Sequence, residues 1–326
     1  MSILDRTIRD DVIDAHTREQ ITEQIEAGLI APFRVFWSDW RSRVGLVIVL
    51  FFVFLGTGAR YLVDPPRTHQ GPVMERAFQN WAHPLGTDVM GQDIISAMVY
   101  GTTPILQMIL SGCIFATLMS IAIGTTSGYK GGMTDRVLTT VTDIAMTIPG
   151  LPLIIVLGFI IEPRSPYVVG ILLTINAWAG LSRMIRSEVL SIREMDYVEA
   201  SHAMGIDTHR IIRTDVLPNI MPFVLIGSVR MARSVIFNSV VLYFLGILPF
   251  TTMNWGVMMN YAYESAAGAP IVARTVHWIL PPMLAIVLFT LGLIFMSQGM
   301  DRVFNPRLRA KHEKTNSDET TTPLQH

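Results

Sequence analysis

The chain has 326 residues, of which half are hydrophobic and only 16% are charged, and its mean hydropathy is +0.42. A soluble domain carries about a quarter charged residues, so this composition predicts an integral membrane protein. The 25 basic and 26 acidic side chains nearly cancel, which gives the protein no bulk attraction to nucleic acid.

The first 43 residues are polar and charged, and we expect a cytoplasmic N-terminal segment, 1–43, rather than a cleaved signal peptide. Six apolar runs follow, at about 44–62, 103–125, 137–161, 166–181, 220–247 and 276–297. Except for the short fourth run, each is long enough to cross a hydrocarbon core of roughly 30 Å as a helix. The sequence therefore predicts an all-α, polytopic membrane protein with six transmembrane helices over 44–300. Residues 301–326 are predicted to form a cytoplasmic tail that is partly disordered.

The distribution of basic residues predicts the orientation of these helices. With the N-terminus inside, the inner segments contain 18 Lys and Arg residues and the outer segments contain 5. Because cytoplasmic loops are enriched in basic residues, this asymmetry favours an N-in, C-in arrangement. The same arrangement places the inner loop 182–218 on the cytoplasmic side.

That inner loop contains a polar stretch with the local signals of a helix-turn-helix. We expect a helix over 193–204 that ends at Gly205, because glycine readily adopts the left-handed conformation of a C′ residue. Asp207 or Thr208 can cap a second helix. Pro218 can open the next segment, because its missing N–H costs nothing there. These local features alone leave two interpretations open, a surface that contacts a partner or a solvated loop between helices.

The chain lacks the motifs that carry enzymatic chemistry. No G-x-x-x-x-G-K-[ST] loop is present to hold nucleotide phosphates, and no G-x-S-x-G nucleophile motif occurs. The eight histidines are scattered, and no cluster of His, Cys, Asp or Glu has metal-ligand spacing. We therefore expect no catalytic residue, no metal site and no cofactor bound by this chain.

Several motifs together resemble those of one family. The run Glu199-Ala200-Ser201, with Gly205 and Leu217-Pro218 after it, resembles the cytoplasmic EAA loop of ABC-transporter importer permeases. Segments of the dipeptide/oligopeptide/nickel permeases are similar to HPLGTD at 83–88, GQD at 91–93, GYKGG at 128–132, FLG at 244–246 and WG at 255–256. The resemblance extends over about residues 40–309 and favours the second-type, C-like membrane subunit. Two departures are Ser201, where the motif has Ala, and Asp215, where many members have an apolar residue.

This resemblance implies a MetI-like importer permease that is itself non-catalytic. In that family the EAA loop docks on a separate ATPase, so the loop 193–218 would couple transport to ATP hydrolysis through Glu199, Ala200, Ser201, Gly205, Leu217 and Pro218. The implied partners are a homologous permease subunit, two ATP-binding subunits that carry ATP and Mg, an extracytoplasmic substrate-binding protein and the lipid bilayer, but no nucleic acid. The implied location is the cell (plasma) membrane of a prokaryote.

The resemblance also implies a substrate, which is a di- or oligopeptide. Nickel or another small solute is the alternative, because the motifs are shared within the family. A self-sufficient secondary transporter is a further interpretation, but few acidic residues lie within the spans to couple transport to an ion.

Two arginines in the fifth apolar run, Arg230 and Arg233, lie near the middle of the predicted membrane span. A charged side chain there costs at least about 2–3 kcal/mol, so both must face protein or a water-filled path. Asn238 and Ser239 lie further along the same helix. Our hypothesis is that these four residues line the translocation path and favour an anionic group such as a peptide carboxylate. An internal ion pair is the equal alternative.

Other positions have structural expectations. Thr87 or Asp88 is predicted to cap the helix that leads into the second span. Pro149 and Pro152 are predicted to kink the third span. The glycines at 128–132 are predicted to form a tight turn between the second and third spans.

Overall fold

The structure is a computed structural model that describes residues 36–266 and 275–304, with side chains up to Asp301. The predictions for the polar N-terminal segment and for the C-terminal tail lie almost wholly outside these residues. All regular secondary structure in the described ranges is helical, apart from one isolated bridge between Thr87 and Asp93. The prediction of an all-α fold is confirmed.

The helices within the described ranges vary in length from one turn to ten. In chain order they are α1 (Trp40–Thr57), α2 (Ile94–Lys130), α3 (Gly132–Thr147), α4 (Gly150–Ile161), α5 (Pro166–Leu173), α6 (Trp178–Arg193), α7 (Asp196–Ala203), α8 (Thr208–Ile211), α9 (Leu217–Phe244), α10 (Trp255–Glu264) and α11 (Val276–Phe304). A short 3-10 helix, Ala59–Tyr61, follows α1, and a π-helical segment, Ile212–Val216, joins α8 to α9.

Four stretches are long and apolar enough to cross a membrane as single helices. They are Trp40–Tyr61, Ile94–Lys130, Thr208–Phe244 and Val276–Asp301. Two bent pairs, α3 with α4 and α5 with α6, pass the same test together, which raises the number of candidate spans to as many as six. The structure thus supports four to six spans, and their orientation stays a prediction.

The third apolar run is not one straight helix. Helix α3 ends at Thr147 and α4 begins at Gly150, and the axes of the two helices differ by 85°. Between them Ile148 and Pro149 are extended, with ψ angles of 123° and 120°. A residue that precedes proline avoids the helical conformation, so Pro149 accounts for the break. Pro152 lies in the first turn of α4, where the helix does not need its N–H.

The fourth apolar run is also broken, and its second half is longer than predicted. Helix α5 ends at Leu173 and α6 begins at Trp178, with 56° between the axes. Helix α6 then continues to Arg193, well beyond the predicted end of the run. The helix that the sequence placed over 193–204 consequently starts later, at Asp196, because Arg193 completes the preceding helix.

The N-terminus of α2 is capped by Asp93, not by Thr87 or Asp88 as the sequence suggested. The Oδ2 atom of Asp93 accepts a hydrogen bond of 2.8 Å from the backbone N–H of the third residue of the helix. The two predicted caps are instead buried in the preceding loop. There Asp88 Oδ1 accepts two backbone hydrogen bonds of 2.8 Å, from Met90 and Gln92. Burial raises the pKa of Asp88, and these two hydrogen bonds partly oppose that rise.

Helices α2 and α6 are in contact at the level of the backbone. A methyl group added at Gly124 would lie 2.7 Å from the carbonyl oxygen of Ser182, and the Ser120 hydroxyl donates a 2.8 Å hydrogen bond to the carbonyl of Trp178. The approach is possible because every fourth residue on this side of α2 is small and buried: Gly112, Ala116, Ser120, Gly124 and Gly128. Small residues at this spacing are a common means of close helix packing in membranes. We call this contact the α2–α6 seam.

Aromatic packing joins α1, α10 and α11. The rings of Phe52 and Phe289 stack with their centroids 4.6 Å apart, and Trp255 meets Phe52 edge to face at 5.5 Å. All three side chains are almost fully buried. Such rings bury a large apolar area and also prefer these geometries, so this cluster holds the three helices together.

The chain divides into two compact units, of which the larger is Leu46–Ile294. In the smaller unit, the start of α1 packs against the end of α11. The rings of Trp40 and Phe295 lie 5.9 Å apart, and the backbone at Gly299 lies directly against the side chain of Ser42.

Candidate functional site

The predicted coupling loop is held against α6 by apolar residues. After α6 ends at Arg193, the chain continues through residues 194–218, which we call the coupling segment. Val198, Ile211 and Val216 of this segment are buried, in one core cluster with residues of α6 such as Val189. The segment is therefore packed onto α6, and only its outer side is available to other molecules.

The turn of the coupling segment is a Schellman motif around Gly205. The φ angle of Gly205 is +75°, in the left-handed region that the sequence predicted. The N–H of Gly205 donates to the carbonyl of His202 at 3.0 Å, and the N–H of Ile206 donates to the carbonyl of Ser201 at 3.2 Å. These two hydrogen bonds satisfy carbonyls that the end of α7 would otherwise leave unpaired.

Most of the predicted coupling residues lie on the surface. Glu199, Ala200, Gly205 and Pro218 are exposed, whereas Ser201 and Leu217 are half-buried. Met204, beside the turn, is 72% exposed and adds an apolar side chain to this surface. The outer side of α7 thus presents a mixed polar and apolar surface.

The second half of the coupling segment continues into α9 without a break. Asp207 occupies the N-cap position of α8, but its side chain makes no capping hydrogen bond. One turn of α-helix and five π-helical residues then lead directly into α9, whose first turn contains Pro218. The Asn219 amide donates to the carbonyl of Asp215 at 2.6 Å and to the Tyr197 hydroxyl at 3.1 Å. The start of α9 is thereby tied to the start of α7.

The inner turn, residues 128–135, lies beside the coupling segment. Gly131 and Gly132 have φ angles of +65° and +58°, so the tight turn predicted from the glycines is present. Its backbone and its acidic side chain are contacted by two arginines of α6. Arg193 donates to the carbonyl of Tyr129, and Arg186 pairs with Asp135.

A cavity of about 550 Å³ separates the inner turn from α7. Its walls carry both positive and negative charges, and they consist of Tyr129, Lys130, Arg193, Glu194, Val198, Glu199 and His202.

Three of the four predicted path residues share one side of α9. Arg230 is exposed, and Arg233 and Asn238 are half-buried. Ser239 is 1% exposed, and its hydroxyl donates to the carbonyl of Ile236 in its own helix at 2.9 Å. Nine residues of α-helix turn by about 180° relative to Arg230, so Ser239 lies on the opposite, inward-facing side.

The arginines of α9 have no acidic partner among residues 36–266 and 275–301. Neither guanidinium takes part in an ion pair there, and Arg233 Nε is buried without a hydrogen-bond acceptor. Exposed residues on the same side include Phe223, Ser234 and Phe237. We call this side, with Arg230 and Arg233, the open face of α9.

A family model described as "Binding-protein-dependent transport system inner membrane component" matches residues 120–310, more than half of the chain. The chain belongs to this family. The match contains the coupling segment and all of α9. This permease is accordingly a multi-pass component of a bacterial cell membrane.

Curated relatives of the permease align over most of its length. It is 28% identical to the dipeptide transport system permease protein DppC of Bacillus subtilis, with 82% of each chain covered. It is 29% identical to the glutathione transport system permease protein GsiD of Pectobacterium atrosepticum, over 86% of this chain and 92% of that one. It is 24% identical to the oligopeptide transport system permease protein OppC of B. subtilis, over 84% of this chain and 88% of that one. These matches confirm the resemblance to the C-like peptide permeases.

The histidines in the loop before α2 have structural contacts. His83 Nδ1 lies 3.2 Å from Asp93 Oδ1, and His277 Nε2 lies 3.1 Å from the carbonyl oxygen of Thr87. No group of three or more His, Cys, Asp or Glu side chains that could hold a metal ion occurs in the part of the permease that the structure describes.

Sequence reasoning missed two features near the site, although both left a signal. The small residues of the α2–α6 seam recur at every fourth position, which is visible in the sequence itself. Arg186 and Arg193 are seven residues apart, so any helix that contains both must present them on one side. The π-helical segment left no such signal, because it depends on how α8 meets α9.

Proposed function

We propose that this permease is one membrane subunit of an ATP-driven importer of di- or oligopeptides. In this proposal six spans cross the membrane with both termini inside, and a homologous permease completes the translocation path. Two partner ATPase subunits bind ATP and Mg and hydrolyse the ATP, and an extracytoplasmic binding protein delivers the peptide. The observation that carries the proposal is the α7–Gly205 turn, whose outer side is exposed and whose inner side packs against α6. The turn lies within the residues that the family model matches, and its sequence resembles the family's coupling motif.

A separate ATPase follows from what the sequence lacks. The chain has no phosphate-binding loop, so the energy of an ATP-driven import must come from another chain. Glu199, Ala200 and Gly205 lie on the exposed side of the coupling segment, where such a chain can reach them. Ser201 and Leu217 would support that surface from beneath, because both are half-buried.

A peptide substrate is supported by the relatives and by the charge of the open face. Three of the curated relatives are named for dipeptide, oligopeptide or glutathione transport. Two arginines without an acidic partner in the described ranges would attract the carboxylate of a peptide. The same two charges would repel a nickel ion, which makes the nickel alternative less suitable for this path.

The proposal is tested by reconstituting the complete complex in vesicles with its binding protein on the outer side. We expect the permease to co-purify with ATPase subunits and to take up a labelled dipeptide only when ATP is supplied inside. The matched control is a complex whose ATPase subunits are inactivated in their nucleotide site. Uptake without ATP, or a permease that purifies without any ATPase, would show a self-sufficient transporter and contradict the proposal.

Variants of Gly205 test the coupling role of the turn. Gly205→Pro removes the N–H that donates to His202 and requires a φ near −65° where the structure has +75°. We expect uptake and the ATP hydrolysis stimulated by loaded binding protein to be lost. Gly205→Asn is the matched control, because asparagine tolerates the left-handed region and a side chain at this position meets nothing within 4 Å. Normal stimulation in the proline variant would be incompatible with a coupling role.

A further inference from the structure

We propose that Arg186 and Arg193 are positioning residues that transmit movement of the coupling segment to helices α2 and α3. The inference rests on the proposed function, because it takes α7 as the element that a partner ATPase moves. The feature that carries it is the placement of both arginines on α6, where each holds one end of the inner turn.

Arg193 binds the C-terminal end of α2. Its Nη1 donates a 3.0 Å hydrogen bond to the carbonyl oxygen of Tyr129, next to the last residue of α2. The last four carbonyls of a helix have no donor within the helix, and a positive charge is favourable at that end of the helix dipole. Gly131 leaves room for the contact, since a Cβ there would lie only 3.3 Å from the same nitrogen.

Arg186 binds the N-terminal end of α3. Its Nε and Nη2 atoms donate to the two carboxylate oxygens of Asp135 at 2.6 and 2.7 Å. The Thr139 hydroxyl donates to the same carboxylate at 3.0 Å. Asp135 lies in the first turn of α3, where the helix dipole favours a negative charge. A two-pronged arginine–carboxylate contact of this kind fixes orientation as well as distance.

The spacing of the two arginines lets one helix hold both ends of the turn. Seven residues correspond to about two turns and about 10 Å of α-helix, so both side chains leave α6 on the same side. Between them Val189 packs against Gly128, where an added methyl group would lie 2.9 Å from the Val189 Cβ atom. Helix α6 is thus joined to the end of α2 by packing and to both sides of the turn by hydrogen bonds.

The position of Arg193 connects this arrangement to the coupling segment. It is the last residue of α6, and only Glu194 and Met195 separate it from α7. Val198 in α7 is buried in the same core cluster as Val189 and Ile192 of α6. A displacement of α7 therefore acts first on the end of α6, and the two arginines pass it to α2 and α3.

A second ion pair on α6, within the described residues, provides an internal comparison. Arg183 pairs with Asp143 of α3, but their side chains are 54% and 52% exposed, against 30% and 20% for Arg186 and Asp135. An exposed pair is screened by water and contributes little to the relative position of two helices. Arg183 therefore controls for the loss of an arginine from the same helix.

The experiment measures the number of peptides transported per ATP hydrolysed by the complete reconstituted complex. For Arg186→Gln and Arg193→Gln we expect this ratio to fall about fivefold or more. A factor of about five is the lower end of the effects that one site commonly has on another in allosteric proteins. Assembly with the ATPase subunits should stay normal, because neither arginine lies on the outer side of α7. Arg183→Gln and Lys130→Gln should keep the wild-type ratio. Lys130 is exposed in the same turn, and its ammonium group takes part in no ion pair of the described ranges.

A charge exchange tests whether the contact itself matters. We expect Asp135→Arg alone to lower the ratio, and the pair Asp135→Arg with Arg186→Asp to restore at least part of it. A general loss of stability would not be repaired by the second change. If Arg186→Gln does not accumulate, Arg193→Gln tests the inference by itself, because it removes one part-buried hydrogen bond to a backbone carbonyl and no ion pair of the described residues.

The results separate this inference from the proposed function. A wild-type ratio in Arg186→Gln and Arg193→Gln, with uptake and stimulated hydrolysis lost in Gly205→Pro, would overturn the role of the arginines and leave the function standing. A wild-type ratio in both arginine variants, with normal uptake and stimulated hydrolysis in Gly205→Pro, would overturn both. An equal fall in Arg183→Gln would also overturn the inference, because any loss of charge on α6 would then have the same effect.

Discussion

The α2–α6 seam and the open face of α9 differ in the size and charge of their side chains. In the seam the side chains are as small as possible, and two backbones approach until there is no room for a methyl group at Gly124. On the open face two phenylalanines and two arginines are exposed or half-buried, and no acidic side chain of the described residues pairs with Arg230 or Arg233. We therefore expect side-chain volume to control assembly at the seam and charge to control substrate uptake at the open face.

The largest effect should come from adding volume to the seam. Gly124→Leu places a branched side chain where the carbonyl of Ser182 and the side chain of Ile185 already lie within 3 Å of a Cβ atom. Overpacking costs about 1–3 kcal/mol and more where backbone has to move, so we expect the complex not to accumulate. The measurement is the amount of assembled complex extracted from membranes and its melting temperature.

Gly180→Leu is the matched control for that experiment. Gly180 lies on α6 itself, and a Cβ atom there would meet nothing within 4 Å. We expect this variant to assemble normally. If both leucine variants assemble equally well, the seam does not depend on volume and the comparison fails on that side.

An intermediate effect should come from removing charge on the open face. Arg230→Gln with Arg233→Gln keeps polar side chains of similar length but loses both positive charges. We expect uptake of a dipeptide to fall about tenfold, the equivalent of about 1.4 kcal/mol, because a charge-assisted contact with the carboxylate is lost. The measurement is uptake of the free dipeptide compared with the same dipeptide amidated at its C-terminus.

The amidated peptide supplies the control for the charge argument. Its uptake should be less affected by the double variant, since it has no terminal carboxylate to bind. Unchanged uptake of both peptides, in a complex that assembles normally, would show that the open face does not select for an anionic group.

The smallest effect should come from Ser239. Because its hydroxyl is buried and bonds to the carbonyl of Ile236 in its own helix, Ser239→Ala should leave substrate preference unchanged. Asn238→Ala, one residue earlier on the open side, should alter the preference between short peptides. The measurement is a competition series with labelled dipeptide. An equal change in both variants would mean that the two sides of α9 are not distinct.

Much of the coupling segment could be predicted from local chemistry. Gly205 has the positive φ that a helix-terminating glycine supplies. Outside that segment, the break before α4 was also predictable, because the residue that precedes Pro149 does not continue a helix. These predictions succeeded because the cause lies within a few residues of the effect. The predicted cap at Thr87 or Asp88 was wrong, because the loop before α2 folds back and buries both of them.

The four residues predicted to line the transport path do not share one side of α9. Arg230, Arg233 and Asn238 lie on one side of α9, but Ser239 is on the other, although it adjoins Asn238 in the chain. Adjacent residues of a helix point about 100° apart, so proximity in the sequence does not place them on a common surface. Which side of α9 is covered by other helices is decided by the packing of the whole unit.

The sequence by itself determined that this protein is helical, that it spans a membrane and that it belongs among the peptide permeases. Those properties follow from composition, from apolar runs of membrane length and from short motifs, none of which depends on contacts between distant residues. Only the tertiary structure brought Arg186 to Asp135 and Arg193 to the carbonyl of Tyr129. These contacts join residues that are about 50 or more positions apart, and they exist because the small residues of α2 let α6 lie against it.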